Sequence, residues 1–458
     1  MPFDPHIAAI RFGTGLSPRV APPESAGAML AALVGPDLMA RAYPIAGFAT
    51  AVPTVAQYHA LNIARRDAEG AVQMEESEAA FRAIRVAARD TRLQFFLAGM
   101  ARGVETADGF RERLHAFWAD HFTVRARNAF FTHMVAPFAA DTIRPHLTGR
   151  FADMLKAAVL HPMMLVYLDQ QLSIGPNSPA GQRRNRGLNE NLARELLELH
   201  TLGVDGPYDQ GDVRELAELL TGLVWDARQG FRYVARNAEP GAETVLGVEY
   251  PGRADLTTIE AALEGLAAHP ATARHIAGKL AVHFVSDTPD PALAAALEAR
   301  FVETGGDLLS VYEVLLTHPA AWLPERAKVK QPYAYVQSAL RALDVTGAAI
   351  MAMDRRAYNR IFGGPLTMMG QVWEEPAGPD GWPEEAEAWV TPQAVAGRVN
   401  WAMTAPQRLV RVLPDPRALV RVALGPDVPE AVVFAAGAAE SVDVGVGVVF
   451  ASAAFNRR

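Results

Sequence analysis

Cysteine is absent from this chain of 458 residues. Its absence excludes disulfide bonds, thiolate metal ligands and cysteine nucleophiles. The chain also lacks a run of about 18 apolar residues, the length that a membrane-spanning helix requires. The most apolar segment near the end is interrupted by Glu440 and Asp443. We therefore expect no membrane span and no chemistry that depends on a thiol.

Excess positive charge is also missing. The formal net charge is −8, whereas broad nucleic-acid binding requires a basic face, so nucleic acid is not expected as a partner. The first residues contain neither the basic segment nor the apolar block of an export signal. As written, the chain is expected in the cytoplasm; if its N-terminus has been trimmed, it is expected to be exported.

The motifs of several large enzyme classes are not found. The chain has no His-Glu-x-x-His zinc motif, no Gly-x-Ser-x-Gly nucleophile turn, no Walker loop and no Gly-x-Gly-x-x-Gly dinucleotide motif. No named catalytic class is therefore indicated, and any activity has to be argued from other groups of residues.

What is present is typical of a large helical protein. Half of the residues are hydrophobic and about a fifth are charged, and Ala, Leu, Arg and Glu recur at helical spacing through most of the chain. One strong β signal predicts a hairpin in which 231–234 pairs with 244–246 around a Pro-Gly turn. We predict a mainly α, multi-helical bundle in two lobes with one small β-hairpin. The expected divisions are an N-terminal lobe at 1–225, a hairpin insertion at 226–255 and a C-terminal lobe at 256–458.

The most informative segment is the run 189–203, which reads Asn-Glu-Asn-Leu-Ala-Arg-Glu-Leu-Leu-Glu-Leu-His-Thr-Leu-Gly. As a helix it places its leucines on one side and a narrow polar stripe, Asn191, Glu195 and Glu198, beside them. Glu190 and Arg194 are spaced for an ion pair. The final glycine is positioned to end the helix in the left-handed conformation.

The polar stripe has two interpretations. Glu195 and Glu198 could bind a divalent metal or act as an acid and a base, with His121 of the helix at 110–124 as the third catalytic or metal-ligating residue. Alternatively the glutamates form ion pairs with arginines, and His121 is a core residue on an apolar helix face. We favour the functional interpretation for the glutamates, because the local arginine, Arg194, already matches Glu190.

A second group of polar residues flanks the same helix. Arginine forks before a helix N-terminus could hold a phosphate, sulfate or carboxylate, although an exposed arginine loop is an equally good interpretation. The candidate ligand-binding residues are Asn189, Asn191, Arg194, Arg183, Arg184 and Arg186.

Histidines elsewhere receive structural interpretations. His200 lies one residue before the helix end, where a cation complements the helix dipole. His275, Lys279 and His283 recur every four residues, but the outer pair is two turns apart and cannot share one ion. We interpret these three as a surface or interface stripe.

The 189–203 run resembles the motif of a bacterial family, domain of unknown function 1800, whose members read Asn-Glu-Asn-x-Ala-Arg-Glu-Leu-x-Glu-Leu-x-Thr-Leu-Gly. Further segments that match are Arg11-Phe12-Gly13, Phe117-Trp118-Ala119-Asp120-His121-Phe122, Lys330-Gln331-Pro332-Tyr333, Gly381-Trp382-Pro383 and Phe455-Asn456-Arg457-Arg458. The resemblance spans nearly the whole chain, but the family has no established activity to carry over.

The resemblance implies further expectations. Family members are often encoded beside a sulfatase-like family, domain of unknown function 1501, which is therefore a candidate partner. This chain departs from the family pattern at Ala238, Glu243, Glu218 and Leu223, where a His, a Lys, an Arg and a Trp are common. Two functions compete: a metal-assisted or acid/base enzyme acting on a small polar or anionic compound, and a non-catalytic helical scaffold or assembly partner.

Overall fold

A computed structural model describes residues 3–184, 187–252 and 255–458, without the side chain of Arg184. The mainly α prediction is confirmed, because helices account for most of the described chain. The α-helices of eight residues or more are α1 (Ala26–Val34), α2 (Val55–Arg66), α3 (Ala71–Glu105), α4 (Gly109–His121), α5 (Val135–Thr142), α6 (Phe151–Val159), α7 (Gln210–Leu219), α8 (Leu256–Ala268), α9 (Pro270–Phe284), α10 (Pro291–Thr304), α11 (Leu308–Thr317), α12 (Pro332–Ala342), α13 (Pro392–Thr404), α14 (Pro416–Leu424), α15 (Glu430–Gly437) and α16 (Val442–Ala451).

Shorter helical segments connect these elements. The short α-helices are Pro5–Ile7, Leu38–Ala42, Pro162–Tyr167, Gly181–Arg184, Asn191–Glu195, Gly347–Met351, Arg355–Tyr358, Gly364–Met368, Ala386–Trp389, Pro406–Leu409 and Ala453–Asn456. The 3-10 turns are Phe131–Met134, Arg144–His146, Gln170–Leu172, Ala235–Asn237 and Pro319–Trp322. The π-helical segments are Ala8–Phe12, Leu196–His200 and Asn359–Gly363.

The predicted hairpin pairing is wrong. Strand β1 (Leu223–Asp226) pairs antiparallel with β2 (Gly230–Tyr233), and β3 (Glu243–Val245) pairs with β4 (Val248–Tyr250). Each strand therefore pairs with its nearest neighbour across a short turn. Asp226 initiates the first turn by accepting hydrogen bonds from two following backbone N–H groups. Leu246 and Gly247 both have positive φ and form the two-residue turn of the second hairpin.

Two clusters of buried apolar side chains form the core. The first gathers residues between Ala8 and Trp322, and the second gathers Phe96–Val104 with residues from Tyr335 to Phe455. Helix α3 belongs to both, since Phe95 lies in the first cluster and Phe96 in the second. The lobe boundary expected at 226–255 falls within the sequence span of the first cluster, and the division into lobes stays a prediction.

Within the described ranges, none of the helices combines the length and the apolar character needed to cross a bilayer. Helix α3 is long enough at 35 residues, but charged residues recur along it.

Candidate functional site

Three helical segments meet at the C-terminal end of α4. His121 of α4 places Nε2 3.2 Å from the carbonyl oxygen of His200, so Nε2 carries the proton and donates the hydrogen bond. His275 of α9 lies against the same turn, with Nε2 3.1 Å from the carbonyl oxygen of Leu199. The ring centroids of His200 and His275 lie 6.1 and 6.2 Å from that of His121. The expected packing of α4 against the 189–203 run is thus observed.

The 189–203 run is not a uniform α-helix. It is α-helical over Asn191–Glu195 and π-helical over Leu196–His200, a wider turn that is often found at functional sites. The hydroxyl of Thr201 donates to the Leu196 carbonyl oxygen at 2.6 Å. Gly203 then has φ +89, as predicted for a left-handed end. A Cβ there would lie 3.0 Å from Nδ1 of His275, so glycine lets the chain pass close to that ring.

Lys279 lies at the centre of this arrangement. Its side chain is partly exposed, its ammonium group makes no hydrogen bond and no ion pair with the part of the chain that the structure describes, and partial burial lowers its pKa. Burial, together with the charge of Lys279, also lowers the pKa of His121, His200 and His275. The three imidazoles are therefore uncharged at neutral pH. In the stripe predicted for the surface or an interface, His283 is buried, whereas His275 and Lys279 are half-buried.

Residues 380–384, which we call the covering segment, lie against the site. The backbone N–H of Trp382 lies 3.0 and 3.1 Å from the two carboxylate oxygens of Asp120. Gly381, at φ +83, makes this approach possible, because a Cβ there would lie 2.8 Å from both the carboxyl carbon and the carbonyl oxygen of Asp120. The preceding residue, Asp380, is close enough for its charge to act on Asp120, Lys279 and Glu195.

Two carboxyl groups, both within reach of the Asp380 charge, have pKa values close to neutrality. Burial, reinforced by the charges of Glu384 and Asp380, raises the pKa of Asp120 to about 7. Burial, with the charges of Glu198 and Asp380, likewise raises the pKa of Glu195 to about 7. Carboxyl groups with pKa values near the working pH suit general acid or base catalysis.

Glu195 and Glu198 differ in their partners. Glu198 accepts from Arg194 at 3.2 Å, and Arg194 also binds Glu190 at 3.3 Å. Arg194 therefore bridges both glutamates, which corrects the expectation that Glu190 alone occupies it. Glu195 makes no ion pair and no hydrogen bond within the described ranges.

The expected metal ligands do not converge as a set. Among the described residues, the group of three carboxylate or imidazole side chains whose ligand atoms lie within 4.8 Å of one another is Glu215, Glu218 and Glu243. His121, Glu195 and Glu198 are not such a group. His121 instead directs Nε2 at the peptide backbone, and its Nδ1 is buried without a partner.

The remaining candidate residues are dispersed. Asn189 is held by local hydrogen bonds: its side-chain amide donates to the Leu168 carbonyl oxygen and accepts from the N–H of Asn191, both at 3.0 Å. Asn191 and Arg183 are exposed. The side chain of Arg184 and the whole of Arg186 lie outside the described residues.

The family described as Protein of unknown function (DUF1800) matches residues 9–456. The chain belongs to the DUF1800 family. No curated protein and no solved structure matches it. The resemblance inferred from the sequence motifs is thus confirmed, and the DUF1800 description carries no activity with it.

Two positions at which this DUF1800 member departs from the expected pattern lie side by side. Glu218 and Glu243 come together with Glu215, and burial with hydrogen bonding to Glu215 raises the pKa of Glu243 to about 8. Arg214 binds Glu218 at 3.0 Å. The cations expected at positions 218 and 243 are thus replaced by an acidic cluster.

Sequence reasoning missed Asp120, Lys279 and Asp380 as site residues. Asp120 precedes His121 in a DUF1800 motif, and Asp380 precedes the Gly-Trp-Pro motif. Lys279 is the centre of the stripe that was interpreted as an interface. Proximity to the motifs could therefore have pointed to Asp120 and Asp380 as site residues. That residues 120, 279 and 380 lie close together, however, depends on tertiary packing.

Proposed function

We propose that this DUF1800 member is an acid/base enzyme acting on a small polar compound at the site around Lys279. The observation that carries the proposal is the half-buried ammonium group of Lys279, which has no hydrogen-bond or ion-pair partner among the described residues. A partly desolvated charge without a partner lowers stability, and such groups are typical of sites that await a ligand. In this role Lys279 binds an anionic or carbonyl oxygen of the substrate.

Proton transfer is assigned to the two carboxyl groups with raised pKa values. At pH 7 Asp120 and Glu195 each exist in both protonation states, so either can donate or accept a proton. The hydrogen bonds from the N–H of Trp382 orient Asp120. His121, His200 and His275 supply an uncharged, largely water-free wall, in which the attraction between Lys279 and an anion is stronger than in water.

A metal-assisted reaction fits the site less well. The charge of Lys279 acts on His121, so it would repel a divalent cation held by that imidazole. Glu198 is also held by Arg194 at 3.2 Å. Acid/base chemistry therefore uses more of the groups present than metal chemistry does.

A scaffold role is the second candidate, and the network around Arg194 favours it. Arg194 binds Glu190, Glu198 and Gln210, and Gln210 binds Glu190 in turn. Such a network links the 189–203 run to the start of α7 and would fix their packing. In this alternative the protein assembles with a partner, for which the sulfatase-like family named above is the candidate.

The two functions are separated by replacing Lys279 with Met. An enzyme site predicts that Lys279→Met raises the melting temperature, because a partly desolvated charge without a partner is removed, while activity is lost. Activity is measured with p-nitrophenyl esters, phosphates, sulfates and glycosides as probes. Asp120→Asn should lower turnover by at least about 100-fold, whereas Glu198→Gln should retain turnover. The scaffold role is supported if Lys279→Met is less stable than wild type and wild type turns over none of the probes.

A further inference from the structure

A cavity of about 230 Å³ lies where the two apolar cores meet. Its walls come from α3, α4, α5 and α12 and from the segment 371–382. Phe95 of the first core and Leu366 of the second both line it, and Trp373 packs against both cores. Ligand sites occur preferentially at such boundaries, so the cavity lies where a binding site is expected.

The size and walls of the cavity suit a single ring. An apolar cavity of about 150 Å³ holds benzene, so 230 Å³ accommodates a six-membered ring with a short substituent. Phe95, Tyr333 and Trp373 provide aromatic surface. The hydroxyl of Tyr333 makes no hydrogen bond within the described parts of the chain.

One carboxyl group in the wall lacks a partner in direct contact among the described residues. Oε2 of Glu374 is sealed from solvent and has no hydrogen-bond partner among the described residues. The backbone of Glu374 has φ +57, a left-handed conformation that residues with a Cβ rarely adopt. Strain of this kind is found at ligand sites, where the surrounding structure enforces it.

The nearest cation is engaged elsewhere. Arg92 donates to the carbonyl oxygen of Trp373 and to the carboxylate of Glu375, both at 2.8 Å. Burial raises the pKa of Glu374 to about 8, although the charge of Arg92 opposes the rise. A cationic ligand beside Glu374 would provide the missing charge and restore an ionised carboxylate.

We propose that this cavity binds a small amine carrying an aromatic or similarly sized apolar ring. The ring packs against Phe95, Tyr333 and Trp373, and the ammonium group binds the carboxylate of Glu374. The aromatic faces add cation–π attraction for the ammonium group. Asp120 and Trp382 also line this cavity, so it adjoins the proposed enzyme site. The inference goes beyond the proposed function, because the amine is held by Glu374 and requires neither Lys279 nor Glu195.

An anionic ligand is the main competitor, because Arg102 also lines the cavity. However, the Arg102 Nε group already donates to the Tyr43 carbonyl oxygen at 2.8 Å. The two ligand charges are distinguished with three probes of matched size: 2-phenylethylamine, 2-phenylethanol and 3-phenylpropionate. Binding of each to the full chain is measured by titration calorimetry at pH 7.5.

We expect 2-phenylethylamine to bind at least tenfold more tightly than the other two probes. Glu374→Gln should weaken amine binding at least tenfold. Its affinity for 2-phenylethanol should stay within twofold of the wild-type affinity. Glu375→Gln is the matched control, because this neighbouring carboxylate is exposed and paired with Arg92; its amine affinity should equal that of wild type.

The remaining outcomes are equally informative. Absence of amine binding, preference for 3-phenylpropionate, or equal binding of all three probes would overturn the proposal. So would wild-type amine affinity in a folded Glu374→Gln protein. Lys279→Met should bind the amine as wild type does, so that failure of the enzyme hypothesis leaves this result unaffected.

Discussion

At the scale of single residues, Glu195 and Glu198 show how neighbours in sequence acquire different surroundings. Glu198 is bound by Arg194, and both side chains of the pair are partly exposed. Glu195 has no such partner among the described residues, and burial with the Glu198 charge raises its pKa to about 7. The two glutamates of the polar stripe therefore differ: Glu198 is held in an ion pair, whereas Glu195 has no direct counterion among the described residues.

We predict opposite effects of replacing the two glutamates. Glu198→Gln should lower the free energy of unfolding by about 0.5 kcal/mol, the value of a partly exposed ion pair. Glu195→Gln should leave stability unchanged or raise it at pH 8, because an unfavourable charge is removed. Urea unfolding of both variants at pH 8 makes the comparison. The prediction would be contradicted if Glu195→Gln lowered the free energy of unfolding more than Glu198→Gln does.

At the scale of elements, the covering segment is held in place by backbone contacts that require glycine. We predict that Gly381→Ala destabilises the protein by about 2–3 kcal/mol, because it combines a positive φ with a clash against Asp120. Gly370→Ala is the control, since Gly370 has φ +94 but nothing within 4 Å of the position of a Cβ. Gly370→Ala should lower the free energy of unfolding by only about 1 kcal/mol. If thermal denaturation showed the same loss of stability for both variants, the close approach to Asp120 would be unimportant.

At the scale of the whole molecule, a buried ionic network joins distant parts of the chain. His283 of α9 binds Arg113 through Nε2 at 2.8 Å and Glu384 through Nδ1. Glu384 also pairs with the fully buried Lys328 at 3.0 Å, and the last residue, Arg458, pairs through its backbone with Lys328. The network connects α4, α9, the covering segment and the C-terminus.

Removing the central carboxylate should destabilise the whole fold. Despite burial, a hydrogen bond from His283 and the charges of Lys328 and Arg458 hold the pKa of Glu384 well below its usual range. Glu384→Gln removes this countercharge and leaves Asp287 as the ion-pair partner of Lys328 among the described residues. We expect the free energy of unfolding to fall by about 3 kcal/mol at pH 7.

The same variant makes a pH-dependent prediction. A lowered carboxyl pKa contributes stability above the unfolded value of about 4.5, and that contribution disappears as the pH falls below it. The difference between wild type and Glu384→Gln, measured by urea unfolding, should therefore narrow below about pH 4.5. Glu385→Gln, which alters an exposed neighbouring carboxylate, should behave like wild type at every pH.

The sequence by itself determined the local structure. The helical period of Ala, Leu, Arg and Glu indicated that most of the chain is helical, and the final glycine of the 189–203 run was correctly expected to have positive φ. Both predictions depend on residues within one or two turns of each other, where backbone geometry and side-chain spacing decide the conformation. The stripe of His275, Lys279 and His283 was likewise recognised, although its surroundings were not.

Only the tertiary structure decided what these elements do together. The strands pair within two short hairpins because the turns at Asp226 and Leu246 favour pairing between immediate neighbours. The pairing of 231–234 with 244–246, which the sequence pattern also allowed, therefore does not form. Lys279 becomes a half-buried cation without a partner among the described residues because α4 and the π-helical turn pack beside it. Asp120 accepts a hydrogen bond from the N–H of Trp382. This contact forms because the fold brings together two segments separated by more than half of the sequence. Charge and pKa at the site therefore depend on long-range packing, since burial and neighbouring charges set them, and periodicity carries no information about either.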